Sequence, residues 1–129
     1  MPGPLILIGT HTIQDGKIEI AKQASRELVE FLEANHPREI HFQISIDDDT
    51  HEMRVIQIHP DDESLLFHVQ IAGERIATAY EFLDATISIE IYGTPSEELS
   101  QLAHNMAMGA PLRINTAEAG FSRLTQAAI

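Results

Sequence analysis

Apolar residues recur along this chain with two different periods, and the switches between them outline a fold. Residues 4–13, PLILIGTHTI, are β-branched and apolar with a more polar second half, the composition of a strand buried on at least one side. After a turn at 14–16, KIEIAKQASRELVEFLEAN sets Ala21, Ala24, Leu28, Phe31 and Leu32 on one helical face, with Glu19, Lys22, Arg26, Glu30 and Glu33 mostly opposite. Asn35, His36 and Pro37 end that helix. EIHFQISID then alternates strictly, Ile40, Phe42, Ile44 and Ile46 against His41, Gln43 and Ser45. The acidic DDDT at 47–50 reads as a hairpin turn, and HEMRVIQIHP returns as a third strand that Pro60 stops.

Asp61, Asp62 and Glu63 place negative charge at the start of a second helix, where the backbone dipole favours it. Its apolar stripe centres on Leu65, Val69, Ala72, Ile76 and Leu83, with Ile71 and Phe82 on one shoulder. ATISIEIYG at 85–93 alternates again, Ile87, Ile89 and Ile91 against Ser88, Glu90 and Tyr92. A third helix follows in TPSEELSQLAHNMAMG, with Thr94 as cap, Pro95 at its first position, Glu97 closing a capping box and Gly109 beyond its end. The remainder has room for a short strand at 112–115 and another near Phe121.

The order β-α-β-β-α-β with right-handed crossovers predicts an α+β ferredoxin-like sandwich, two helices on one face of an antiparallel sheet. The whole chain, 1–129, is one domain, with residues 1–93 as the core and 94–129 as an added helix and tail. The second sheet face is left bare, so two copies are expected to pack their sheets together as a homodimer. On that face the strand parity gathers His41, Gln43, Ser45, Gln57, His59, Ser88, Glu90 and Tyr92, a polar, hydrated seam.

Twenty acidic residues against eight basic ones, a formal charge of -12, repel a phosphate backbone, so nucleic acid is not an expected partner. No apolar run is long enough for a bilayer and MPGPLILIGT lacks the basic segment of a signal sequence, so the cytoplasm is the expected compartment. The absence of cysteine removes disulfides and thiolate ligands. Seven histidines are many for this length, but no HxH or HExxH spacing fixes two ligands together. His41, His59 and Glu90 are the one set considered for a metal, and neither metal nor cofactor is expected. There is no calcium loop in IDDDTHE, no glycine-rich phosphate loop and no nucleophile elbow.

Two polar residues stand out in the second helix. His68 and Arg75 lie two turns apart at the rim of its apolar stripe, where an imidazole and a guanidinium can hold a phenolic or anionic oxygen. The competing structural reading has Arg75 reaching solvent over a packed stem and His68 as a satisfied boundary histidine. Tyr80 lies at the other rim, and His11 lies beyond Gly9, which marks a bulge or a close approach to a ligand.

With this element order, the acidic helix start in DDESLLFH and a histidine at its second turn, residues 4–93 resemble the dimeric α+β barrel superfamily and, within it, the antibiotic biosynthesis monooxygenase-like family. The resemblance implies a homodimer and a cofactor-independent oxidation of an electron-rich aromatic by O₂. In that role His68 would accept a phenolic proton and Arg75 would stabilise the anion, with Tyr80 and His11 as further ligand contacts. The chain departs from that pattern in having no tryptophan, no asparagine in a core strand or in the second helix, and no histidine after His68 in that helix. The alternative is a non-catalytic ligand-binding or assembly module.

Overall fold

The computed structural model describes residues 3–124. Its elements are β1 (Leu5–Ile13), α1 (Ile18–Asn35), β2 (His41–Asp47), β3 (Glu52–His59), α2 (Asp62–Thr78), β4 (Leu83–Tyr92), α3 (Glu97–Met106) and β5 (Leu112–Asn115), with a 3₁₀ turn at Ala79–Glu81. The strands lie in the order β2-β3-β1-β4-β5. The first four pair antiparallel and β5 joins β4 in parallel. This is the α+β ferredoxin-like arrangement that the periodicity predicts, extended by one edge strand.

The helices cover one sheet face. Leu5, Leu7, Ile89 and Ile91 pack with Leu65 of α2 and with Leu99 and Ala103 of α3 in one apolar cluster. Ile13, Met53 and Leu83 pack with Ala21 of α1 in another. Between the two clusters β1 carries Gly9, so the centre of the sheet has no side chain to fill the space under the helices. That gap is the origin of the cavity described below.

Asp61 caps α2 by accepting the Ser64 amide at 3.0 Å, and its carboxylate also pairs with Arg38. Asp62 of the same turn accepts the Ser96 amide, tying the start of α3 to the start of α2. Ser96, not Thr94, is the α3 cap, its hydroxyl accepting the Leu99 amide at 3.1 Å. The cap is therefore two residues later than expected and the capping box is not formed, because Leu99 stands at its third position and the Ser96 amide goes to Asp62 instead.

Other expectations are also corrected. The α2 helix ends at Thr78, so Leu83, placed in its stripe from the periodicity, is instead the first residue of β4. A register shift passes from the Thr10–Ser88 pair to the His11–Thr86 pair, so Ile87 leaves the face of Ile89 and Ile91 and is 48% exposed. The segment around Phe121 forms no strand.

Gln57 and His59 sit opposite Leu7 and Leu5, which turns both toward the helices and away from His41 and Glu90. The His41, His59 and Glu90 set is thereby divided between two faces. In place of a polar seam, the outward face has Ile6 opposite Ile58 and Ile8 opposite Ile56 at its centre, rimmed by His41, Gln43, Glu90 and Tyr92. Among the described residues no helix is long and apolar enough to cross a membrane.

Candidate functional site

A cavity of about 630 Å³ lies between the sheet and helices α1 and α2. Leu7, Met53, Val55 and Ile89 form much of its apolar sheet wall. His68, Arg75, Tyr80 and His11, the four candidates taken from the sequence, all line it. The structure thus brings together residues up to 69 positions apart.

Their surroundings differ. His11 hydrogen-bonds through Nδ1 to the Thr86 hydroxyl at 3.0 Å, and burial lowers its pKa. A Cβ at Gly9 would lie 3.0 Å from the His11 Nε2, so the glycine makes room for this ring. Arg75 is exposed, and its guanidinium stacks over the Phe31 ring at 4.3 Å from the centroid. It therefore belongs at the cavity mouth, as the snorkelling reading expects. Tyr80 is 37% exposed at the same end of α2.

His68 is at the centre of the buried face, not at its rim, and is only 2% exposed. Its Nδ1 is held by the Glu39 carboxylate at 3.0 Å, and its ring lies 5.5 Å from that of Phe42. A carboxylate only accepts, so Nδ1 carries the hydrogen and Nε2 is the nitrogen left to act as an acceptor. The side chain of Glu39 is itself only 4% exposed. A carboxylate this deeply buried requires partners, and it lies in a cluster of polar groups.

His59, fully buried, hydrogen-bonds through Nδ1 to the Ser64 hydroxyl at 2.7 Å and through Nε2 to Gln57 at 2.9 Å. The same Nε2 approaches Glu39 Oε2 at 3.3 Å. Burial pushes the His59 pKa down to about 3, helped by the neighbouring His68 and His36. It is neutral at pH 7. His36 donates from Nε2 to the Ser64 carbonyl at 2.9 Å and meets Phe67 edge-on.

Sequence reasoning passed over His36 and Glu39. The pattern along the chain marks the first only as a helix stop and the second only as the start of a strand. In the structure they lie in the α1–β2 connection, whose return toward β3 is fixed by the Ile40 amide bonding the Ile58 carbonyl at 2.9 Å. The available signal was a glutamate directly ahead of the alternating β2 segment, together with a histidine on the apolar side of α2.

Solved structures of the same architecture are known. The MupZ protein from Pseudomonas fluorescens superposes with a TM-score of 0.74 at 21% identity, over 94% of this chain and 95% of that one. An antibiotic biosynthesis monooxygenase-like protein from Nitrosomonas europaea gives 0.62 at 17%, over 73% and 92%. One from Caulobacter crescentus gives 0.59 at 17%, over 74% and 92%. This is the fold of the antibiotic biosynthesis monooxygenase-like proteins. The resemblance expected from the sequence holds at that level, and the match to MupZ also takes in most of the added C-terminal region. The chain matches no family model, and no sequence among curated proteins.

Proposed function

We propose that the chain binds a small, electron-rich aromatic in the cavity under α1 and α2, and that His68 accepts the proton of the ligand's hydroxyl. The observation that carries this reading is the buried Glu39–His68 hydrogen bond on the wall of an otherwise largely apolar cavity. Glu39 fixes the tautomer, keeps the Nε2 lone pair available to the cavity, and stabilises the imidazolium formed when the proton is taken. Apolar walls from Leu7, Val55 and Ile89 favour an aromatic body, while Arg75 and Tyr80 at the mouth suit a polar or anionic substituent.

An aromatic held as its phenolate is a better electron donor than the phenol, so the reaction class that fits is cofactor-independent oxidation by O₂. Binding without turnover is the competing outcome. The working unit is a homodimer, supported by the half-buried Ile6, Ile8, Ile56 and Ile58 at the centre of an uncovered sheet face. The test is to titrate the protein with a panel of naphthols and hydroquinones, following phenolate absorbance and O₂ uptake. Phenolate formation that disappears in His68→Ala supports the reading. Unchanged spectra across the panel would reject it.

A further inference from the structure

We infer that His36, Glu39 and His68 form a binding site for a divalent transition-metal ion of the zinc type. One donor atom from each lies within 4.8 Å of the other two. All three side chains are almost wholly buried, and they come from the α1–β2 connection and from α2. Such a set, two imidazoles and one carboxylate, is borderline in softness and suits zinc, cobalt or iron more than calcium or magnesium.

The decisive observation is what these groups leave unsatisfied. Among the described residues, His36 Nδ1 and Glu39 Oε2 are buried without a well-formed hydrogen bond, the latter approached only by His59 Nε2 at 3.3 Å. Because the His36 Nε2–H is given to the Ser64 carbonyl, Nδ1 is the ring nitrogen left to act as an acceptor. Glu39 Oε2 is likewise an acceptor. An unpartnered imidazole nitrogen buried beside a carboxylate oxygen whose nearest donor, His59 Nε2, stands 3.3 Å away calls for an electron-poor guest, and a cation suits both groups. The Ser64 carbonyl bond to His36 is also the usual outer-shell support of a metal-binding histidine, fixing the ring and leaving its opposite nitrogen free to ligate.

Donors at about 2.0–2.1 Å from a tetrahedral ion stand about 3.4 Å apart, so the set would draw in by about 1.4 Å at its widest. The Glu39–His68 pair, at 3.0 Å, is already close. His36 also lines a surface groove with Arg38, Glu63 and Phe67, and His68 lines the main cavity, so the cluster lies between an entry from solvent and the ligand space. With an ion on the Glu39 side of His68, the ring hydrogen would sit on Nε2. His68 would then donate to the cavity and no longer accept from it.

The site does not rest on the proton-transfer reading, and His36 separates the two. It belongs to the ion-binding set but not to the Glu39–His68 hydrogen bond. The experiment uses untagged, EDTA-stripped protein titrated with Co²⁺ in the absence of any aromatic, following visible ligand-field absorption and stoichiometry. The expected result is saturation at one ion per chain, with affinity reduced by at least about tenfold in both His36→Gln and Glu39→Gln. The Glu39→Gln variant keeps a hydrogen-bond acceptor for His68 and so guards against a simple folding defect.

A second measurement needs no variant. Zn²⁺ should shift the imidazole NMR signals of His36 and His68 and leave those of the exposed His41 and His104 in place. No saturable Co²⁺ absorption, or equal affinity in wild type and both variants, would overturn the site and point to an enclosed water or to loose binding by the acidic surface. Phenolate formation in the stripped His36→Gln protein reports on the proton-transfer reading independently.

Discussion

Glu39 and His68, 29 positions apart, meet in a 3.0 Å hydrogen bond at which neither side chain is more than 4% exposed. A carboxylate and an imidazole buried together orient one another, and each is costly to leave alone. Removing one partner therefore affects both the site and the fold. His68→Ala should lower proton acceptance in the cavity by about a hundredfold or more, the usual scale for losing a general base. Glu39→Gln should give a smaller loss, and Glu39→Asp should restore part of it, in single-turnover absorbance measurements. Equal activity in all three variants would remove the pair from the chemistry.

Acid should destabilise the protein through His59. Its folded pKa, about 3, is below the ordinary 6.5, so between these values the unfolded chain binds a proton that the native ring refuses. The stabilisation is fully present above 6.5 and is lost as pH falls toward 3. Asp61, whose pKa is lowered chiefly by Arg38, adds to the loss at the acid end of the same range. Urea denaturation from pH 7 to pH 4 should show falling stability, with a shallower slope in His59→Gln. A flat profile in the wild type would contradict the burial argument.

The cavity depends on Gly9. A methyl group there comes within 3.0 Å of His11 Nε2 and 3.4 Å of Ile89 Cδ1. Gly9→Ala should displace the His11 ring, weaken binding of aromatic ligands and cost about 1 kcal/mol of stability. Paired calorimetric binding and denaturation experiments check both effects.

Asp61 serves α2 as cap and Arg38 as counter-charge. Asp61→Ala should cost about 1 kcal/mol, most of it from the lost cap. Asp61→Ser, which restores the acceptor for the Ser64 amide, should recover most of the loss in thermal melts.

The outward sheet face gives a test of assembly. Ile8 and Ile56 are cross-strand neighbours at its centre. Wild-type protein should sediment as a dimer, and Ile8→Lys with Ile56→Lys should give folded monomers, because two buried ammonium groups per chain cannot be solvated between packed sheets. A monomeric wild type would remove the argument that the sheets pair.

By itself, the sequence determined the element order, because alternation with period two in β2 and β4 and the helical stripe of α1 are local properties of adjacent side chains. It also singled out His68, since an imidazole within an apolar stripe is visible on a helical wheel. The faces of β1 and β3 were decided only by tertiary structure. Apolar residues at all four positions of LILI and at both Val55 and Ile56 leave parity ambiguous, and pairing Leu5 with His59 and Leu7 with Gln57 settled it. The partners of His68 were equally beyond the sequence. Glu39 and His36 sit in an irregular connection with no period to read, and only the closure of that connection against α2 brings their acceptors to the imidazole.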